Sequence, residues 1–123
     1  MYVLDTNVLI YYSKNESDVV SAVEKMYEEN KPVYVSAITE AEFFSYANLV
    51  DEEVESIEAF LKTVFIVPFE SRLARLSGLI RRTYRLELAD SAIAATALLT
   101  GSLLVTRNVG DFKKIDGLRL QKI

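Results

Sequence analysis

Four short apolar runs constrain this chain more than any other feature: Tyr2-Val3-Leu4, Val33-Tyr34-Val35, Phe65-Ile66-Val67 and Leu103-Leu104-Val105. Each reads as a strand, and Tyr2-Val3-Leu4 has no room for polar alternation, the pattern of a strand covered on both faces in the middle of a helix-covered sheet. Stretches with helical periodicity separate them. Strands alternating with helices build a parallel sheet flanked by helices. The expectation is an α/β chain, a three-layer α/β/α sandwich around a central, mainly parallel sheet. The length of 123 residues fits one domain over 1–123. Half the residues are hydrophobic, and only four Gly and two Pro are present, so a core is available and disorder is not expected.

The helices follow from the spacing of apolar residues. Asn7 to Ser13 reads as a short, mostly apolar helix capped by Asp5 or Thr6. Ser17 to Glu29 reads as amphipathic, with Val20, Val23 and Tyr27 on its inner stripe. Ser36 to Thr39 leads into a helix reaching about Leu49. Asp51 to Thr63 follows, with Val54, Ile57, Leu61 and Val64 inward and an acidic first turn suited to the helix dipole. Glu70 to Tyr84 carries Leu73, Leu76, Ile80 and Tyr84 on its apolar side. Leu88 to Thr100 is rich in alanine and closes at Gly101. Asn108 to Lys114 is a loop or short helix, Asp116-Gly117 a turn, and Leu118 to Ile123 a weak edge strand.

The chain contains no His and no Cys. That excludes a Ser-His-Asp triad, a histidine-based ribonuclease, disulfides and ordinary zinc sites. Oxygen ligands remain, and these suit Mg²⁺, Mn²⁺ or Ca²⁺. The net charge of −4 gives no general attraction to nucleic acid, so any such binding needs a local basic patch or metal ions. The longest charge-free run, between Asp90 and Arg107, is too short and too interrupted to span a membrane. The first residues lack the basic region of a signal peptide. A cytoplasmic location is expected.

Four carboxylates fall where the strands of such a sheet end. Asp5 ends the first strand. Glu42 lies early in the helix after the second. Asp90 opens the helix leading to the fourth, and Asp111 lies just beyond that strand. Ligands of open α/β sheets bind in this region. Each acid also has a structural reading. Asp5 could cap a helix. Thr39 and Glu42 fit a capping box. Asp90 suits a helix first turn, and Asp111 could brace a turn. Four such charges brought together repel one another unless cations neutralise them. Together they describe a Mg²⁺ or Mn²⁺ site able to hydrolyse a phosphodiester without histidine.

Four segments carry a family resemblance: Leu4-Asp5-Thr6-Asn7, the run 35–42 ending in Thr39-Glu40-Ala41-Glu42, the run 90–97 opening with Asp90-Ser91-Ala92, and Val105-Thr106-Arg107-Asn108-Val109-Gly110-Asp111-Phe112. In this order and over this length, the chain resembles a PIN-domain ribonuclease, most of all the VapC toxins of toxin–antitoxin pairs. The resemblance maps the catalytic and metal-binding acids onto Asp5, Glu42, Asp90 and Asp111. It maps supporting polar positions onto Thr6, Asn7, Thr106 and Asn108. It implies Mg²⁺- or Mn²⁺-dependent cleavage of RNA, a homodimer, and inhibition by a small VapB-like antitoxin covering the site.

Arg107, beside Thr106 and close in sequence to Asp111, is expected to reach a substrate phosphate or an antitoxin carboxylate. Arg72, Arg75, Arg81, Arg82 and Arg85 form either a phosphate-contacting face or a solvated outer face. The run Val8 to Tyr12 is too long for one helix face. Leu9, Tyr11 and Tyr12, or neighbouring apolar surface, are therefore expected to help build the dimer. Two rival functions carry distinguishable marks. A receiver-type phosphoacceptor domain needs an Asp after its third strand, where this chain has Pro68-Phe69-Glu70. An inactive PIN-like binding module would be expected to have lost acids that are all present here.

Overall fold

The computed structural model describes residues 1–123. In chain order the elements are β1 (Tyr2–Leu4), α1 (Thr6–Ser13), α2 (Ser17–Glu28), β2 (Val33–Ser36), α3 (Ala37–Phe44), α4 (Asp51–Leu61), β3 (Phe65–Val67), α5 (Ser71–Tyr84), α6 (Leu88–Thr100), β4 (Leu103–Thr106), α7 (Val109–Phe112) and β5 (Arg119–Lys122). The strands form one sheet in the order β3-β2-β1-β4-β5. Every neighbouring pair is parallel.

The most apolar strand at the start of the chain therefore holds the middle of the sheet. Successive side chains of a strand point to opposite faces, and β1 serves two cores in this way. Tyr2 and Leu4 join Val33, Val35 and Val105 beneath α1, α2 and α4. Val3 joins Leu104 beneath α5 and α6. The helix α6 is buried continuously from Ser91 to Ala97. Its alanines let it lie close to both the sheet and α5. Its buried hydroxyls bond back to the preceding turn, Ser91 to the Glu87 carbonyl at 2.8 Å and Thr96 to the Ala92 carbonyl at 2.7 Å. Burial of these polar groups is thereby tolerated.

From β1 the chain builds outward through β2 and β3, then crosses to β4 and β5 on the other side. The order reverses between β1 and β4. In open α/β sheets the crevice at such a reversal, outside the carboxyl ends of the strands, is the usual ligand site. Asp5 follows β1 there, and Thr106 ends β4. The backbone N–H of Asp5 donates to the Val105 carbonyl at 3.1 Å, extending the β1–β4 pairing up to the carboxylate.

Several expectations need correction. The helix after β2 ends at Phe44 rather than near Leu49. Ser45 turns its hydroxyl onto the Glu42 carbonyl at 2.7 Å, satisfying the helix end. The inner stripe of α2 is Val19, Val23 and Met26, one position out of phase with the expected set, and Tyr27 is exposed. A helix with apolar pairs on adjacent positions allows either phase, and packing on the sheet selects one. In α4 Ile57 is buried together with Phe60, while Val54 and Leu61, and Val64 beyond the helix end, are half-buried. The run Phe65-Ile66-Val67 is an edge strand, with Phe65 62% exposed. Leu9 is 1% exposed, so it offers nothing to a partner subunit. The sheet and three helices surround α1, which is how Val8, Leu9 and Ile10 can all be buried. No helix is long and apolar enough to cross a membrane.

Candidate active site

At the carboxyl end of β1 lies a cavity of about 220 Å³ lined by Asp5, Thr6, Asn7, Ile10, Glu42, Ser45, Tyr46 and Asp90. Its floor is the start of α1. Asp5 is the N-cap of that helix, as the capping reading expected, and its Oδ1 accepts the Thr6 N–H at 2.8 Å. Its Oδ2 accepts the Thr106 hydroxyl at 2.7 Å. Thr106 Oγ1 in turn accepts the Asn108 N–H at 2.9 Å. A buried carboxylate is thus held at both oxygens, by α1 on one side and by the end of β4 on the other. Each oxygen keeps further lone-pair capacity. Burial raises the Asp5 carboxyl above the ordinary range. The bonds from Thr106 and Thr6 oppose that rise, and the charge of Glu42 adds to it.

Glu42 reaches the same place from α3. Its Oε1 accepts the Thr6 hydroxyl at 2.6 Å. The capping-box reading of Thr39 and Glu42 fails, because α3 starts three residues earlier than that reading requires. Ser36 is the N-cap, its hydroxyl accepting the Ile38 N–H at 3.2 Å. Glu42 is therefore in the body of the helix, held by a residue of α1 rather than by its own helix end.

Asp90 enters from the first turn of α6. A helix N-terminus alone would favour its charge. Instead its carboxyl is pushed up to about 6, first by burial and then by the charges of Asp5, Glu42, Asp111 and Glu87. Burial and the neighbouring acids together outweigh the helix, so the simple first-turn reading does not account for it. Asp111 lies on α7 outside the cavity lining and accepts the Asn108 side-chain N–H at 2.8 Å. That bond is the turn brace expected of it, yet its charge still acts on Asp90.

The supporting residues divide. Thr6, Thr106 and Asn108 orient the acids directly, and Asn7 sits exposed on the cavity rim. Arg107 turns away. Its guanidinium pairs with Asp18 at 2.9 Å and Glu16 at 3.4 Å and lies 4.3 Å from the centre of the Tyr11 ring. It ties β4 to the junction of α1 and α2 and faces no Asp111 carboxylate. Ser45 and Tyr46 were not anticipated. They lie three and four residues after Glu42, the spacing that shares a helix face, and that spacing was the available signal.

The donor set fits a hard divalent cation in its chemistry. Three of the lining residues are carboxylates, hydroxyls of Thr6, Ser45 and Tyr46 stand beside them, no basic side chain lines the cavity, and burial with the neighbouring acids pushes the Asp90 carboxyl up to about 6. As the side chains stand, no three of the acids are grouped as the ligands of one ion. Every buried side-chain polar atom already has a hydrogen-bond partner.

A crevice of oxygen donors at the switch point of a parallel sheet defines a class of protein, and the comparison with known proteins agrees: residues 2–118 match the PIN domain. The chain belongs to the PIN-domain family. Among its relatives, ribonuclease VapC2 of Rickettsia felis is 25% identical over 129 residues, covering 98% of this chain and 96% of that protein. A toxin–antitoxin complex from Klebsiella pneumoniae contains a chain 32% identical, with a TM-score of 0.78, covering 96% of this chain and 95% of that one. The fold also matches a chain of VapBC2 from Rickettsia felis, solved on a promoter DNA fragment. That match has a TM-score of 0.84 at 24% identity and covers 99% and 98% of the two chains. Membership of this family removes the receiver-type reading.

Proposed function

We propose that this protein is an endoribonuclease of the VapC type, the toxin of a toxin–antitoxin pair, dependent on Mg²⁺ or Mn²⁺ and acting in the cytoplasm. The observation that carries the reading is the convergence of Asp5, Glu42 and Asp90 on one cavity at the β1–β4 switch point, in a chain of the PIN-domain family. The curated relative from Rickettsia felis is named a ribonuclease, and the Klebsiella pneumoniae relative belongs to a toxin–antitoxin complex. A small antitoxin protein is accordingly the proposed inhibitor. A homodimer remains part of the proposal, with its contact surface outside the buried face of α1.

The chain's own groups have distinct tasks in this reading. Asp5, Glu42 and Asp90 hold the cation, with Asp111 adding negative charge from the rim. A bound divalent ion supplies charge stabilisation for the leaving oxygen and an acidified water. Thr106 and the Thr6 N–H keep the Asp5 carboxylate oriented. Thr6 keeps Glu42 turned toward the cavity. Once the charges around it are neutralised, Asp90 gives up its proton more readily than at about 6 and stays ionised at neutral pH. The inactive-module alternative gains nothing from the site, because all four acids are present.

The test is RNA cleavage by the purified protein. EDTA should abolish it, and excess Mn²⁺ should restore it. Full activity in EDTA would remove the metal-dependent mechanism. No cleavage in Mn²⁺ by an antitoxin-free, folded preparation would leave only the inactive module.

A further inference from the structure

An acidic chain with a pit of carboxylates must still hold a polyanion. Five of its seven arginines lie on α5 and its C-cap, and no Asp or Glu interrupts positions 71 to 86. Arg72, Arg75, Arg82 and Arg85 follow one another at intervals of three, seven and three, and all are exposed. The chain's ion pairs involve none of these four. Arg81 has only a long contact to Glu87, at 3.7 Å between two exposed side chains, and a bond to the Leu86 carbonyl at 3.2 Å.

Three of these arginines do more than decorate a solvated face. Arg81, Arg82 and Arg85 line a cleft of about 340 Å³ with Gly78, Leu86 and Glu87, where α5 turns into α6. Arg85 is held at a φ of 59°, a left-handed conformation uncommon outside glycine and asparagine. Gly78 sits inside α5, where glycine weakens a helix relative to alanine. A Cβ there would meet nothing within 4 Å, so packing does not demand the glycine. It leaves the floor of the cleft open. The cleft and the acidic cavity both open at the start of α6: Glu87, the N-cap of that helix, is on the cleft wall, and Asp90, three residues on, lines the cavity.

We propose that the Arg81–Arg82–Arg85 cleft binds backbone phosphates of the single-stranded RNA flanking the scissile bond. The assignment deepens the nuclease reading and rests on it for the identity of the substrate. Guanidinium groups bind phosphate oxygens in bidentate fashion and keep their charge at any working pH. Placed beside the carboxylates, they offset the repulsion a phosphate meets on its way to the acids. The cleft binds the chain of phosphates without reading bases, so it sets affinity and register rather than sequence.

The test is fluorescence anisotropy with an end-labelled, mixed-sequence single-stranded oligoribonucleotide, in EDTA and over a range of KCl. All proteins carry Asp90→Asn, which blocks cleavage and removes one repelling charge. Arg82→Gln with Arg85→Asn is the main variant; asparagine tolerates the left-handed backbone at position 85. Loss of two phosphate contacts should weaken binding about tenfold at low salt and lower the salt slope by about 1.4, at about 0.7 per contact on a single strand. Arg82→Lys should keep most of the affinity, and Lys62→Gln on the far layer should change nothing. Unchanged affinity and slope in the double variant overturn the proposal, as does absence of RNA binding in the parent. It is equally overturned if poly-glutamate displaces RNA from the parent at lower concentration than RNA itself binds, since the cleft then serves an acidic peptide. The two readings fail separately. RNA held through the arginines but never cut in Mn²⁺ by the protein with Asp90 intact refutes the nuclease. Cleavage with arginine-independent binding refutes the cleft alone.

Discussion

Replacing Asp90 with Asn should make the metal-free protein more stable, by an amount that depends on pH. Asp90 is the one site carboxylate with no hydrogen-bond partner in the protein, and its carboxyl is raised from 3.8 to about 6 by burial and by Asp5, Glu42, Asp111 and Glu87. At face value such a rise costs the charged form about 3 kcal/mol. The side chain is partly exposed, and solvent screening reduces the cost to about 1.5 kcal/mol. The folded pKa lies above the unfolded one. The stability linked to this group is therefore full below about 3.8 and is lost as pH rises through about 6. Asn cannot ionise and is the same size. The variant should exceed the wild type by about 1.5 kcal/mol at a pH of about 7.5, and by about 0.5 kcal/mol at about 4.5. For a chain of this length 1.5 kcal/mol corresponds to about 6 °C in melting temperature. Thermal melts of both proteins in EDTA at the two pH values read this directly. Saturating Mn²⁺ should then stabilise the wild type more than the variant. A variant that melts at or below the wild type near neutral pH would refute the reasoning, because Asp90 would then be favoured rather than repelled by its surroundings.

Other substitutions separate the supporting roles. Thr6→Val removes the hydroxyl that Glu42 accepts at 2.6 Å, and cleavage in Mn²⁺ should fall at least tenfold while the fold survives, as circular dichroism will show; undiminished cleavage would mean that Glu42 needs no anchor. Thr106→Val leaves Asp5 Oδ2 and the Asn108 N–H without their partner; urea unfolding should show a loss of about 1–3 kcal/mol, and a smaller loss would mean that water replaces the hydroxyl freely. Arg107→Gln breaks the pairs to Glu16 and Asp18; melting temperature should drop more at low than at high salt, while RNA cleavage stays near the wild-type rate, and a large loss of cleavage would return Arg107 to the substrate.

The parts of the site that sequence patterning reached are those in which a residue is placed by its own element. Asp5 ends an unbroken apolar strand, so its position beyond a central strand followed from Tyr2-Val3-Leu4 alone. Asp90 was legible only as a helix start, since its place at the site depends on how that helix enters, whereas the choice of oxygen chemistry followed from a chain without His or Cys. Burial of every residue from Ser91 to Ala97 matches the close packing expected of an alanine-rich helix.

What only the tertiary structure decided depends on partners far away in the chain. Thr39 and Glu42 carry the local signature of a capping box, but the helix begins at Ala37, and Glu42 bonds to Thr6, 36 positions earlier. Arg107 stands next to the site in sequence, yet its guanidinium is taken up by Glu16 and Asp18 at the junction of α1 and α2. The exposure of Phe65 was settled by strand order, which places β3 at the edge. Thr106 meets Asp5 across 101 residues. Periodicity reports which face of an element is apolar. It carries no information on which strands become neighbours, and that adjacency assembles the carboxylates and raises the Asp90 carboxyl toward neutrality.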